Sequence, residues 1–118
     1  MKYTLPVAAI GEIATGLVLL IAPSLFGQAL LGETLPGIAI PVARVTGIAL
    51  IALGIACWPG PAAAGMLTYS AGVALYLASL GLAGISTGWL LWPAVVIHTI
   101  LAVLLILDLR RLPRGAPR

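Results

Sequence analysis

Three ionisable side chains stand inside long apolar runs of this 118-residue chain: Glu12, Arg44 and His98. In such surroundings a carboxyl can bind a proton, and a guanidinium can seat an anionic headgroup or a quinone oxygen. An imidazole can ligate haem, donate to a quinone carbonyl or bond a neighbouring helix. A charge at the centre of a lipid-embedded helix costs about 2.5–3.5 kcal/mol on insertion scales, so such groups face the protein interior and seek partners. At 1.5 Å per residue, Glu12 lies roughly 10 Å from the inner surface and Arg44 roughly 10 Å from the outer one, with His98 near the midplane.

Glu12 and Arg44 admit two readings. One is an internal ion pair that fixes two helices, provided Arg44 reaches over about 10 Å of depth; Arg44 snorkelling outward to phosphates is its variant. The other is a proton site or anion seat. Tyr69 and Tyr76 share a helix face and either offer hydroxyls to Arg44, Glu12 or His98 or pack in the core with satisfied O–H groups. Haem held by two histidines needs a second chain, because this one has a single His. Thr68, Ser70 and Ser79 are expected to hydrogen-bond between helices. The sequence has no phosphate-cradling glycine loop, HExxH, nucleophile–base pair or metal-ligand cluster. Cys57 is the only cysteine, which excludes an intrachain disulfide. A hydrolytic or metal-dependent active site is therefore not expected.

The elements that must position these groups follow from composition. Hydrophobic residues make up 62% of the chain and charged ones 8%, with a mean hydropathy of +1.20. A soluble domain carries about 25% charged residues, so lipid must solvate most of this exterior. The expected fold is an all-α integral membrane four-helix bundle of up-down topology, a single domain over 1–112 followed by a disordered basic tail, 113–118. Its spans fall at about 5–22, 38–58, 62–84 and 89–109, punctuated by proline and glycine. Over 24–31 the sequence predicts either a short interfacial helix or a proline-kinked extension of span one. Lys2 before an apolar run loosely resembles a secretory signal, but Glu12 and the lack of a small-residue cleavage site favour a retained span.

Five of the six basic residues lie at the ends: Lys2, Arg110, Arg111, Arg114 and Arg118. That bias puts both termini on the cytoplasmic side of the inner (plasma) membrane, with the basic C-terminal end against anionic lipid. Nucleic acid is not an expected partner. Tyr3 and Trp58 then mark the inner interface, and Trp89 and Trp92 the outer one. Small residues recur every seven positions: Gly65, Gly72, Ser79 and Ser86 in span three, and Gly47 and Gly54 in span two, while Gly11 and Gly16 flank Glu12. In lipid such residues let backbones approach and gain dispersion contact, which predicts helix packing at Gly16, Gly47, Gly54, Gly65 and Gly72 in a compact left-handed bundle.

The run from Ala43 to Gly54, Ala-Arg-Val-Thr-Gly-Ile-Ala-Leu-Ile-Ala-Leu-Gly, resembles the A-R-x-x-G-x-x-L-x-x-L-G pattern of span two in DoxX-like small membrane proteins. The stretch from Gly16-Leu17 to Ala22-Pro23 and the four-span layout are similar as well. The resemblance implies that Arg44 is a shared structural position. It adds some weight to quinone proximity, since a few such proteins are subunits of quinone-linked sulfur-oxidising complexes. Three functions are then open: an accessory or scaffold subunit, self-associating or part of a larger complex; a small oligomeric transporter or channel using Glu12, Arg44 and His98; and a quinone- or haem-binding redox subunit.

Overall fold

The computed structural model describes residues 4–58, 61–85 and 88–113. Met1, Lys2, Tyr3, Pro59-Gly60, Ser86-Thr87 and the residues from Arg114 onward, with the expectations placed on them, lie outside these described residues. All regular structure among the described residues is helical: α1 (Thr4–Ile21), α2 (Pro23–Leu31), α3 (Ala39–Cys57), α4 (Ala62–Leu82) and α5 (Leu91–Arg111).

Proline and glycine set the boundaries by simple backbone chemistry. Pro6, Pro41 and Pro93 each fall in the first turn of α1, α3 and α5, where an N–H would have no intrahelical acceptor. At the other end, α2 stops at Gly32 with φ 84°, whose N–H donates to the Gln28 carbonyl. Beyond α4, Gly84 takes φ 71° while the Ile85 N–H donates to the Leu80 carbonyl. Both are left-handed caps that satisfy carbonyls the helix leaves open.

Helices α3, α4 and α5 are each long and apolar enough to cross a membrane. The pair α1 and α2 meets the same test together but is bent by 116°, giving three spans, or four if the bent pair makes one. Pro23 causes the break, since its ring has no N–H to donate and clashes with the carbonyl one turn back. Of the two arrangements open for 24–31, the chain therefore adopts a separate helix that runs across the end of α1.

The helices pack in a row. α1 lies on α3, α3 on α4 and α4 on α5; α1 touches neither α4 nor α5, and α3 does not touch α5. The molecule measures 45 × 36 × 15 Å, one helix thick, with a radius of gyration of 16.0 Å. A compact domain of this length has about 13.5 Å. The compact bundle expected from the glycine spacing is thus replaced, within one chain, by an open layer. Helices that are apolar all round gain little by exchanging lipid for one another, so close backbone approach at small residues is what joins α1 to α3 and α3 to α4. The small residues of α3 divide between two sides: Gly47 and Gly54 meet α1, while Ala52 and Ala56 meet Gly65 of α4.

Little is buried as a result. The buried apolar residues are largely alanines, and Ala102 is the one buried residue of α5. Large side chains such as Leu75 (74% exposed) and Leu82 (80%) point outward. Apolar surface on this scale needs lipid or another protein against it.

Candidate functional site

The glycine contacts fix the register of the layer. A Cβ at Gly16 would meet the Gly47 carbonyl and Ile51, and one at Gly54 would meet Ala9 and Ile13. α1 and α3 therefore run antiparallel, with Glu12 level with Leu53. Gly65 meets Ala52 and Ala56, and Gly72 meets Ile48. Tyr69 thus shares the level of Ile51, about half a turn from that of Glu12, whereas Arg44 and Tyr76 lie together one turn beyond the Ile48–Gly72 contact.

Glu12 is half-buried and lines a 170 Å³ pocket with Ala8, Ala9, Leu53, Gly54 and Cys57. Leu53 also lines a neighbouring 330 Å³ pocket with Tyr69 and Met66. Glu12 and Tyr69 hence open on the same broad face of the layer, on either side of Leu53. The Tyr69 ring meets His98 of α5 edge-on, with centroids 5.9 Å apart and planes at 69°. Nδ1 of His98 lies 2.8 Å from the Ala94 carbonyl. A carbonyl only accepts, so Nδ1 carries the hydrogen and Nε2 is left as the free ring nitrogen.

Arg44 belongs to the other face. It stands nine residues before Leu53, two and a half helical turns, and so leaves the opposite side of α3. Its Nε is buried without a hydrogen-bond partner. The Glu12–Arg44 ion pair does not form, for two geometric reasons: the groups are roughly 13 Å apart in depth, and they emerge on opposite faces.

The tyrosines part company despite their shared spacing. Tyr69 touches His98 through its ring edge, while the Tyr76 hydroxyl is buried and unpartnered. The expected interhelical hydrogen bonds from the hydroxyl residues give way to local ones. Thr68 Oγ1 donates to the Ala64 carbonyl at 2.8 Å and Ser79 Oγ to the Tyr76 carbonyl at 2.6 Å. A short β-hydroxyl reaches its own helix backbone before it reaches a neighbour. Ser70 is the exception, fully buried with Oγ unpaired. Neither it nor Leu53 carried a spacing signal that singled it out.

A groove of 850 Å³ lies between the ends of α3, α4 and α5 and is lined by apolar residues such as Ile38, Pro41, Leu77 and Leu91. Among the described residues no three His, Cys, Asp or Glu side chains converge on a metal position. What the arrangement offers is a carboxyl, a phenol and an imidazole on one face, and a guanidinium on the other.

Three helices long and apolar enough to cross a membrane, in a layer that exposes large apolar side chains, suggest a helical membrane-spanning protein. Comparison with family models, curated proteins and solved structures finds no match to the chain.

Proposed function

We propose that this chain is an accessory or scaffold subunit that spans the plasma membrane four times, keeps both termini in the cytoplasm, and works by packing against further copies or partner subunits. The observation that carries this reading is the single helical layer, 15 Å thick. Such a layer encloses no interior for a substrate and leaves both broad faces, with their half-buried polar groups, to be covered by something else. The cluster of basic residues at the chain ends supports the orientation and a contact with anionic lipid. The DoxX-like run from Ala43 to Gly54 supports a packing role for the Arg44 segment.

Native mass spectrometry from lipid nanodiscs tests the reading: assemblies of two or more chains, or of this chain with a partner subunit, are expected. A strictly monomeric species that retains no partner contradicts it. Orientation is tested in a Cys57→Ala background with a membrane-impermeant thiol reagent. Gly88→Cys should label in intact cells and Pro113→Cys only after permeabilisation.

A small oligomeric transporter or channel is the second reading, favoured by Glu12, Tyr69 and His98 sharing one face. Liposome flux that survives both Glu12→Gln and Arg44→Gln unchanged would remove it. The free Nε2 of His98 keeps a redox subunit in view; a purified protein with neither a Soret band nor bound quinone would count against that.

A further inference from the structure

Resting on the reading of the chain as a self-associating subunit, we infer that two parallel copies pack through the face bearing Glu12, Leu53, Tyr69 and His98. Their two-fold axis runs along the membrane normal, and Glu12 of each copy meets His98 of the partner subunit.

The geometry follows from the layer. Glu12 sits on α1 and His98 on α5, the two edges of the row, and both open on the face that carries Leu53 and Tyr69. Their depths agree to within about a turn and a half, because Glu12 lies about half a turn from the level of Tyr69 and the Tyr69 ring touches His98. A two-fold axis along the normal preserves depth and reverses the order of the helices. It therefore sets α1 of one copy against α5 of the other, and α3 against α4. The contact is self-complementary, so one pairing occurs twice. The second layer also supplies what a one-layer fold lacks, a partner for its apolar face.

The chemistry fits the geometry. Glu12 has no hydrogen-bonding side chain among its pocket neighbours other than Cys57, and a carboxyl in lipid needs a partner. With Nδ1 of His98 committed to the Ala94 carbonyl, Nε2 is the nitrogen free to share one proton with a carboxyl oxygen. The position of that proton, on oxygen or on nitrogen, leaves the hydrogen bond intact. At the centre of the interface, Leu53 and Met66, each about half exposed in one copy, would pack across the axis. The opposite face is the poorer choice. Arg44 stands on the central helix α3, and a two-fold through that side brings two guanidiniums within roughly one 8–10 Å interhelical spacing, where like charges repel in a low dielectric. The basic chain ends favour the same orientation for both copies.

The test uses full-length protein in native membranes, in a Cys57→Ala background. Glu12→Cys on one epitope-tagged copy and His98→Cys on a differently tagged copy should give a disulfide-linked dimer on mild oxidation. Either variant expressed alone, or Arg44→Cys, should give none. An intrachain link is out of reach, since three interhelical spacings of 8–10 Å separate α1 from α5 whereas a disulfide spans at most about 7 Å between Cα atoms. Leu53→Cys with Met66→Cys on separate copies, which leaves Glu12 and His98 in place, should cross-link as well. If native mass spectrometry shows an oligomer but neither pair cross-links, or Arg44→Cys links instead, this interface is wrong while the subunit reading stands. If the chain is a monomer without partners, both fall.

Discussion

The seam between α1 and α3 and the seam between α4 and α5 join helices of similar length and apolarity by different means. In the first, backbone meets backbone: a Cβ at Gly16 would stand 2.5 Å from the Gly47 carbonyl oxygen, and one at Gly47 would stand 2.6 Å from that of Gly16. In the second, the atoms nearest a Cβ at Gly81 belong to the side chains of Trp92 and Leu91, and Tyr69 meets His98 through a ring edge. The difference matters because lipid competes equally well for any apolar side chain. Only contacts that lipid cannot match, such as close backbone approach, hold two helices firmly in a bilayer. The α1–α3 seam should therefore be the rigid part of the layer and the α4–α5 seam the adaptable one.

Substitutions graded along the two seams test this contrast. Gly47→Ala should cost the most, about 1–3 kcal/mol as an overpacked contact between backbones that cannot step aside, read as a lowered thermal midpoint in detergent. Gly81→Ala should cost less, about 1 kcal/mol or under, because Trp92 is 46% exposed and can swing away. Equal losses at the two sites would erase the distinction. Tyr69→Phe keeps the ring edge on His98 and should shift stability by no more than about 0.5 kcal/mol. Gly11→Ala should be neutral or slightly stabilising, since a Cβ there meets nothing within 4 Å and alanine is the better helix former.

How much of this was legible in the sequence varies with the level of structure. The expected spans at 38–58 and 62–84 correspond to α3 (Ala39–Cys57) and α4 (Ala62–Leu82), because proline and glycine act locally on the backbone and can be read locally. The break at Pro23 was equally visible, though the 116° turn it produces depends on how α2 docks. The layer was not legible. In a soluble helix the apolar stripe tells which side is inward, but these helices are apolar around their circumference, so a face toward lipid reads like a face toward protein. The same blindness hid the separation of Glu12 from Arg44. Their spacing suggested a difference in depth of about 10 Å, whereas the helix register makes it roughly 13 Å, and the rotation of α3 about its axis, set by Gly47 and Gly54 against α1, sends Arg44 to the far face. The self-bonding of Thr68 and Ser79 could have been foreseen, since short hydroxyls within a helix habitually reach the carbonyl one turn back.

These observations define a chain whose polar groups are distributed for assembly: a carboxyl, a phenol and an imidazole on one side, a guanidinium on the other, and one helix of thickness between. Everything proposed for it depends on the helices standing in a row instead of closing on themselves. Spin labels placed on the exposed residues Ala14 of α1 and Val103 of α5, in a Cys57→Ala background reconstituted with an excess of unlabelled chain, measure this directly by dipolar spectroscopy. The row predicts an intrachain separation of roughly 25–30 Å, three interhelical spacings, unchanged by further dilution. A dominant distance near one spacing, about 10 Å, that persists at full dilution would mean that α1 packs on α5 in a closed bundle, and would contradict the account.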